Sequence, residues 1–386
     1  MNVAIIGASS SGLCTCILLK RKHPDWQVTL FERNARPGRK LCATGNGHCN
    51  VLNQDIAAEG FNDVSFMAKM LKKYPYSRLE ETLHSWGALT MNIGSLVYPL
   101  SFSATSFTGF LYNYALSLGV SFRFSENVDS YEAGEKVTLH SESGKHEFDK
   151  VIFATGGKSQ KALGSDGSMF SVWADHGYHI APLRPGLCPI KVKEKVKALA
   201  GLRHKAAVSV YANGELIYEE LGEILFKPDG LSGIAIFNAQ RAIAHLKEGR
   251  KVMLFLDLFP EHPLPELTFL LLGARKANPS LFFDAVMEKP WKRYLLGEKE
   301  NIDEADIPTL AKRLKNLGFH YDSSYGFDFS QVTIGGVALS DFDEHFASKL
   351  EKDVIFVGEA LDIDGKCGGY NLSWCLISAL QAVEGL

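Results

Sequence analysis

The residues best suited to bind a phosphate form a glycine-framed turn near the start of the chain, Gly7-Ala8-Ser9-Ser10-Ser11-Gly12. The turn follows an apolar run at residues 3–6 and precedes a helical pattern at residues 13–22. A strand, a tight turn and a helix in this order present unpaired N–H groups and the positive end of the helix to an anion. A second apolar run ends at Glu32, 25 positions after Gly7. A carboxylate near that spacing accepts the hydroxyls of an adenosine ribose, so the pattern indicates a dinucleotide.

The turn differs from the dinucleotide fingerprint G-x-G-x-x-G at one position. Its second glycine is replaced by Ser9. This position usually lacks a Cβ atom so that the backbone can touch the pyrophosphate. The turn by itself therefore indicates a dinucleotide without identifying which one.

Two further strand ends carry glycines of the same kind. Ala154-Thr155-Gly156-Gly157 ends an apolar run at residues 151–154, and Gly358-Glu359 follows another at residues 354–357. Ligands of an open parallel sheet lie outside the carboxyl ends of its strands. A nicotinamide nucleotide needs mainly the first site, whereas the longer FAD uses all three. Glu359 could bind a hydroxyl of the ribityl chain. The combination favours FAD.

The elements that must position these residues predict an α/β protein with an insertion. Residues 1–32 form a strand–helix–strand pattern, the start of a doubly wound sheet. Helices are predicted near residues 65–73, 77–86 and 103–118, and a β-meander near residues 121–124, 136–140 and 146–148. Alternating runs at residues 206–211, 215–219 and 251–256 predict a small barrel, followed by helical sequence from about residue 265 to 317.

We therefore predict an FAD-binding, Rossmann-like domain in two parts, residues 1–185 and 331–386, interrupted at residues 186–330 by a β-barrel and helical substrate domain. A chain of 386 residues with 46% hydrophobic and 22% charged residues suits two or three globular units. A net charge of −3 gives no general attraction to nucleic acid. No apolar stretch reaches the roughly 18–20 residues that span a bilayer. Seven cysteines without a C-x-x-C pair predict a reduced, cytoplasmic setting.

Several motifs resemble one known family, and they extend over nearly the whole chain. They are Gly38-Arg39-Lys40-Leu41 with Thr44-Gly45-Asn46-Gly47-His48-Cys49-Asn50, Val97-Tyr98-Pro99, Gly222-Glu223-Ile224-Leu225-Phe226, Gly230-Leu231-Ser232-Gly233, Thr333-Ile334-Gly335-Gly336-Val337, and Gly358-Glu359-Ala360-Leu361-Asp362 with Gly368-Gly369-Tyr370-Asn371. The sequence resembles bacterial NAD(P)/FAD-dependent oxidoreductases that include aminoacetone-oxidase-like and bile-acid enone-reductase-like flavoproteins. The resemblance implies an FAD domain with an inserted barrel.

The chain departs from that family in the loop at residues 38–50. Arginine is usual where this chain has His48, and glycine is usual where it has Asn46. An arginine near the flavin could stabilise the reduced ring or bind an acidic substrate. His48 could do so only when protonated. His48, Tyr370 and Asn371 are the candidate catalytic residues near the flavin.

The residues predicted to bind the cofactor lie on the first turn, on the 38–50 loop, at strand ends or at the start of the last helix. They are Gly7, Ala8, Ser9, Ser10, Ser11, Gly12, Glu32, Arg33, Arg39, Lys40, Leu41, Thr44, Gly45, Asn46, Gly47, Cys49, Asn50, Val128, Ala154, Thr155, Gly156, Gly157, Gly358, Glu359, Asp362, Gly368, Gly369, Tyr370, Asn371 and Leu372. The histidines show no metal-ligand spacing, and no metal site is predicted. Cys42 and Cys49 could form a redox pair, but their six intervening residues differ from the usual four.

The predicted function is that of an FAD-dependent oxidoreductase that moves a hydride between a small organic substrate and the flavin. An amine oxidase or dehydrogenase is preferred, with NAD(P)H or O₂ as the redox partner. One alternative is an NAD(P)H-dependent reductase of an enone-type substrate. Others are a non-catalytic flavin-binding protein and an RNA-modifying flavoprotein, for which the only basic stripe is Lys191, Lys193, Lys195 and Lys197. No membrane partner is expected, and nucleic acid is not the preferred partner.

Overall fold

A computed structural model describes residues 1–297 and 302–386. The described chain divides into two compact units. The first unit combines Met1–Pro185 with Gln331–Leu386, and the second comprises Gly186–Ser330. The first unit therefore consists of two chain segments that are far apart in sequence.

The strands and helices of the described residues are numbered in chain order. The strands are β1 Asn2–Ile6, β2 Gln27–Glu32, β3 Leu52–Asn53, β4 Thr90–Ile93, β5 Leu96–Pro99, β6 Ser121–Phe124, β7 Val128–Ala133, β8 Val137–Ser141, β9 Gly144–Phe148, β10 Lys150–Phe153, β11 Arg184–Gly186, β12 Ile190–Val192, β13 Arg203–Ala212, β14 Glu215–Lys227, β15 Gly230–Ser232, β16 Val252–Asp257, β17 Leu317–Ser324, β18 Val332–Ile334 and β19 Val354–Phe356. The helices are α1 Ser10–Lys22, α2 Arg39–Cys42, α3 Val64–Lys73, α4 Tyr76–Ser85, α5 Ala104–Ser117, α6 Met169–Asp175, α7 Ile234–Ala244, α8 Leu264–Ala277, α9 Lys289–Leu296, α10 Ile307–Lys315 and α11 Tyr370–Glu384.

The first unit is built on a parallel sheet with the strand order β19-β10-β1-β2-β6. Its central strands are buried on both faces; Val3, Ala4 and Ile5 have no exposed surface. Such continuous apolar runs are typical of parallel strands covered by helices. Helix α1 packs against α11 and α5. The predicted doubly wound, Rossmann-like fold is confirmed.

One strand assignment in this unit was wrong. Residues 121–124 were predicted to begin a meander, but they form β6, the edge strand of the parallel sheet, with Ser121 opposite Thr29. The antiparallel meander is β7-β8-β9, and its first strand was not predicted. An edge strand alternates between exposed and half-buried residues, as β6 does. Because a meander strand alternates in the same way, the pattern of residues 121–124 could not show which strand they pair with.

The second unit contains a closed antiparallel barrel with the strand order β12-β15-β14-β13-β16-β17. Along β13, Ala206, Val208, Val210 and Ala212 are fully buried, while the residues between them are less buried. This period of two fills the barrel interior with side chains. The barrel core also includes side chains from α7 to α10, among them Trp291. The barrel predicted from the alternating runs is confirmed.

No helix of the described residues is long and apolar enough to cross a bilayer.

Candidate functional site

The glycine turn lets α1 approach the sheet closely. Gly7 has φ +106°, and a Cβ atom there would lie 2.4 Å from the carbonyl oxygen of Ala154. A Cβ atom on Gly12 would lie 1.9 Å from the carbonyl oxygen of Gly7. Both contacts are with backbone, which cannot rotate away. These two glycines therefore place the start of α1 directly against the ends of β1 and β10.

Ser9 occupies the position where the fingerprint has its second glycine. Its φ of −105° is an ordinary value for any residue, and its side chain makes no capping hydrogen bond. The backbone conformation at position 9 therefore does not require glycine. Its carbonyl oxygen accepts the first helical hydrogen bond, from Leu13 at 2.9 Å. The N–H groups of the first turn, on Ser10, Ser11 and Gly12, have no partner within the helix and can bind an anion.

The Glu32 carboxylate is held beside this turn at the end of β2. The side chain is buried, with 8% of its surface exposed. One oxygen accepts a hydrogen bond from the Ala8 N–H at 2.9 Å. The other accepts from the backbone and side chain of Asn34, at 2.8 and 2.6 Å. Each carboxylate oxygen has more than one acceptor direction, so Glu32 can also accept from a ribose hydroxyl.

A cleft opens between the ends of β1, β2 and β10 and encloses about 520 Å³ including its mouth. The predicted cofactor residues that line it are Gly7, Glu32, Arg33, Val128, Thr155, Gly156 and Gly157. Two polar atoms of its wall, the Thr155 hydroxyl and the Trp173 indole nitrogen, are buried and have no hydrogen-bond partner within residues 1–297 and 302–386. Buried polar groups are normally satisfied, so these two atoms fit a cleft that receives a polar ligand.

Sequence reasoning missed the segment that covers one side of this cleft, residues 164–168, which we call the strap loop. Arg33 forms an ion pair with Asp166 at 2.6 Å and donates a 3.4 Å hydrogen bond to the carbonyl of Gly164. Burial raises the pKa of Asp166, but hydrogen bonds from Arg33 and Ser168 outweigh it and hold that pKa below its usual range. The available signal was two glycines framing an aspartate, and both adopt positive φ, +103° and +75°.

Glu359, which follows β19, contacts residues of α2, of β18 and of the segment after β10. Its carboxylate pairs with the Lys40 ammonium at 2.8 Å and accepts a 2.7 Å hydrogen bond from the Thr333 N–H. A Cβ atom on Gly157 would lie 2.9 Å from the carboxylate and 2.3 Å from the Thr333 hydroxyl. The structure thus brings together Lys40, Gly157 and Glu359, three of the predicted cofactor residues.

The 38–50 loop folds over the start of α1. The Gly38 N–H donates to the Ala8 carbonyl at 2.7 Å, and Arg39 donates to the side chain of Asn34 at 3.0 Å. Asn46, at a usual glycine position of the family, has φ +53°. Asparagine tolerates this left-handed conformation better than most residues, so the loop keeps its shape without the glycine. Leu41 anchors the loop in the core.

The end of this loop is tied to the start of α11. With its amide oriented to satisfy its neighbours, Asn50 donates to the carbonyl of Leu52 at 2.7 Å and accepts from the Gly369 N–H at 3.2 Å. Asn53 donates to the Gly368 carbonyl at 2.7 Å. Gly369 has φ +88°, and a Cβ atom there would lie 2.5 Å from the Leu52 carbonyl oxygen. The positive end of α11 is therefore fixed next to the loop.

Tyr370 and Asn371, two of the candidate catalytic residues, hydrogen-bond to neighbouring loops. Tyr370 is 1% exposed, and its hydroxyl donates to the Asp55 carbonyl at 3.1 Å and accepts from the Ala57 N–H at 3.3 Å. The Asn371 amide pairs with the N–H and carbonyl of Gly365, both at 2.9 Å. These side chains shape the loops around the start of α11.

The remaining predicted residues lie at the edge of the site. The exposed His48 ring stacks on Phe102 with centroids 4.0 Å apart, and its Nδ1 atom is 3.0 Å from the Phe102 carbonyl oxygen. The Asp362 N–H donates to the Val337 carbonyl at 3.0 Å. Leu372 is half-buried against the core. His48 is thus the one catalytic candidate that sits at the surface of the site.

Cys42 and Cys49 are not joined by a disulfide bond, and both are free thiols. Burial raises the pKa of Cys49 to about 12, so this thiol stays protonated and is a poor nucleophile at neutral pH. Within residues 1–297 and 302–386, no group of three His, Cys, Asp or Glu side chains is arranged to hold a metal ion.

Known proteins are similar to this chain over nearly its whole length. The family model described as the HI0933-like protein Rossmann domain matches residues 1–385. A 3-dehydro-bile acid delta(4,6)-reductase from Clostridium scindens is 30% identical over 97% of this chain and 96% of that protein. A ribosomal RNA dihydrouridine synthase from Escherichia coli K12 is 23% identical over 100% of this chain and 98% of that protein.

Among solved structures, the quinol fumarate reductase subunit FrdA from E. coli has a similar fold. The TM-score is 0.52, with 14% sequence identity, and the match covers 100% of this chain and 69% of that chain. At this identity the likeness concerns the fold alone.

Proposed function

The chain belongs to the HI0933-like family and is a flavoprotein-type oxidoreductase, and from this premise we propose that it binds FAD and reduces a carbon–carbon double bond conjugated to a carbonyl group. The proposal has two parts, the cofactor and the direction of the reaction.

The residues of the first unit fit an extended FAD molecule. The N–H groups of Ser10, Ser11 and Gly12 would bind the pyrophosphate, and Glu32 would accept the adenosine ribose hydroxyls. The unpartnered Thr155 hydroxyl supports a ligand in the cleft. FAD, when bound, supplies the capacity to take up and release two electrons.

At the other end of the site, the chain's own groups are suited to an electron-rich ring. The first-turn N–H groups of α11 and the positive end of its dipole favour negative charge beside Gly369. The Lys40 ammonium is held by its ion pair with Glu359 at 2.8 Å. These groups would favour the reduced state of the cofactor.

A mostly apolar surface lies next to the start of α11. We call it the ring-end patch, and it consists of His48, Leu96, Tyr98, Phe102 and Cys367. Tyr98 and Phe102 meet edge to face with centroids 5.1 Å apart. A Cβ atom on Gly368 would lie 3.3 Å from the Leu96 side chain, so the patch borders the turn that leads into the helix. Such a surface suits an apolar substrate and limits access of water to it.

The observation that carries the direction of the reaction is the 30% identity to the bile-acid reductase over 97% of the chain. That protein's name describes reduction of double bonds conjugated to a 3-keto group. The dihydrouridine synthase, by its name, forms a product in which the uracil double bond is saturated. Both support a reductase over the amine oxidase or dehydrogenase predicted from sequence, which stays an alternative that experiment can decide.

The test is anaerobic bleaching of the bound flavin by NADH, NADPH or small amines, followed by addition of a 3-keto-Δ4 steroid. We expect NAD(P)H to bleach the flavin and the enone to restore its colour. Bleaching by an amine, with peroxide formed on aeration, would select the oxidase instead. A protein purified without flavin and unable to bind added FAD would refute the whole proposal.

RNA is a second candidate substrate, favoured by a surface of the barrel unit. The Lys191 and Lys227 ammonium groups lie 5.5 and 5.1 Å from the centre of the Tyr325 ring. The exposed Phe329 packs edge to face on the same tyrosine. Aromatic rings flanked by lysines can stack bases and contact phosphates. RNA affinity that falls steeply with salt, and that is lost on Lys227→Glu, would support this candidate.

A further inference from the structure

Tyr98 stands out within the ring-end patch because of where β5 places it. Along β5, Val97 and Pro99 are buried while Leu96 and Tyr98 are half-buried, so the latter two share one face of the strand. The Leu96 side chain on that face reaches the position of Gly368. Tyr98 is therefore on the side of β5 that faces the turn before α11.

No hydrogen bond joins the Tyr98 hydroxyl to another of the residues that the structure describes. Buried tyrosines differ from this half-buried one: the hydroxyls of Tyr74, Tyr131 and Tyr178 all donate to side-chain oxygens at 2.6–2.9 Å. A tyrosine with an apolar environment and an unused hydroxyl is available to a bound molecule. Its ring is held in place by Phe102, which in turn stacks on His48.

The environment also keeps the phenol in its acid form. Burial, with a smaller contribution from the neighbouring Cys367 thiol, raises the pKa of Tyr98 above its ordinary value. A phenol of ordinary pKa, about 10, already carries its proton at neutral pH, and the raised pKa of Tyr98 leaves that proton in place. The patch has two other titratable groups: the Nδ1 atom of His48 lies 3.0 Å from the Phe102 carbonyl oxygen, and the Cys367 thiol lies 3.5 Å from the Gln331 amide oxygen.

We propose that Tyr98 is the proton donor in the reduction of the conjugated double bond. The proposal rests on the proposed function. Reduced FAD, when bound, would supply the hydride, and with it the two electrons, that the β carbon needs as the carbon–carbon π bond breaks. The α carbon then takes the proton from the Tyr98 hydroxyl, whose O–H bond breaks, and water restores the proton to the tyrosinate. The alkene gains two electrons and two protons in total, and the flavin is oxidised.

The test compares Tyr98→Phe with Tyr112→Phe. Tyr112, on α5, is also half-buried and makes no hydrogen bond through its hydroxyl within the described chain, so the control removes the same atom elsewhere. We expect both variants to bind FAD and to be bleached by NAD(P)H as the wild type is. Reoxidation by the enone should slow by about 10²–10⁴-fold in Tyr98→Phe alone, the usual contribution of a general acid.

Two readouts do not depend on the rate of turnover. In D₂O, the wild type should place deuterium on one face of the α carbon, and Tyr98→Phe should lose that stereochemical preference. In the flavin-free protein, ultraviolet titration of tyrosinate should show that Tyr98→Phe removes a phenol that titrates above the ordinary pKa of about 10.

The outcomes separate this role from the proposed function. A Tyr98→Phe variant that the enone reoxidises as fast as the wild type refutes the role of Tyr98 alone. A variant that loses FAD or stability also overturns it, since the hydroxyl would then be structural. A wild type that no enone reoxidises refutes the proposed function and this role with it.

Discussion

Replacing Gly12 by alanine tests whether close packing of α1 on the sheet creates the proposed phosphate site. The new Cβ atom would lie 1.9 Å from the Gly7 carbonyl oxygen, whereas such atoms essentially never come within 3.0 Å of another heavy atom. Helix α1 would have to move by more than an ångström. Overpacking of this kind usually costs about 1–3 kcal/mol and occasionally more. Because the clash is with backbone at a buried position, we expect about 3 kcal/mol.

The assay is urea unfolding of the flavin-free protein, with FAD affinity measured separately by fluorescence. The matched control is Gly109→Ala in the interior of α5, where an added Cβ atom meets nothing within 4 Å. That change should stabilise the first unit by about 0.5–1 kcal/mol, since alanine is the better helix former. Gly12→Ala should also weaken FAD binding, because the first-turn N–H groups move with the helix. If Gly12→Ala were as stable as the wild type, the account of the turn would be refuted.

Three further changes test the rest of the site. Glu32→Gln replaces an acceptor oxygen by a donor and removes a charged hydrogen bond worth about 1.5–3 kcal/mol. The Kd for FAD, measured by fluorescence titration, should therefore rise about 10–100-fold. An unchanged Kd would exclude a role of Glu32 in binding the ribose. Asp166→Asn should speed FAD dissociation only a few-fold in stopped-flow, because the Arg33 ion pair is partly exposed. Since folding lowers the pKa of Asp166, the stabilisation of the folded protein by this ion pair is present above the ordinary pKa of about 3.9 and is lost as the pH falls through the lowered pKa. Equal dissociation rates for wild type and variant at pH 7 would show that the strap loop does not retain the cofactor. Cys42→Ser should leave turnover unchanged, and a large loss would revive the dithiol hypothesis.

Much of the fold could be predicted because its signals are local. The apolar runs at residues 3–6, 28–31, 151–154 and 354–357 correspond to β1, β2, β10 and β19. A short run of apolar residues buried on both faces is stable in water only inside a covered sheet. The alternating runs of the barrel carry an equally local signal, a period of two.

The pairing of β6, in contrast, could not be predicted from the residues next to it in sequence. Its residues alternate as a meander strand would, and its place beside β2 depends on the edge that the rest of the sheet leaves open. The strap loop was missed for a similar reason. Its ion pair joins Arg33 to Asp166, which are more than a hundred positions apart in the chain. No spacing rule connects such residues.

By itself, the sequence determined most strands of the parallel sheet, the alternating strands of the barrel and the glycines where backbone passes close to backbone. Gly7, Gly12 and Glu32 could be identified because the conformation and spacing of a strand–turn–helix unit are set by neighbouring residues. Tertiary structure alone decided what each polar side chain does. Tyr370 and Asn371 bind loop backbone, whereas Tyr98 keeps its hydroxyl free within the described chain. A hydrogen bond depends on distances of a few tenths of an ångström between residues that only folding brings together.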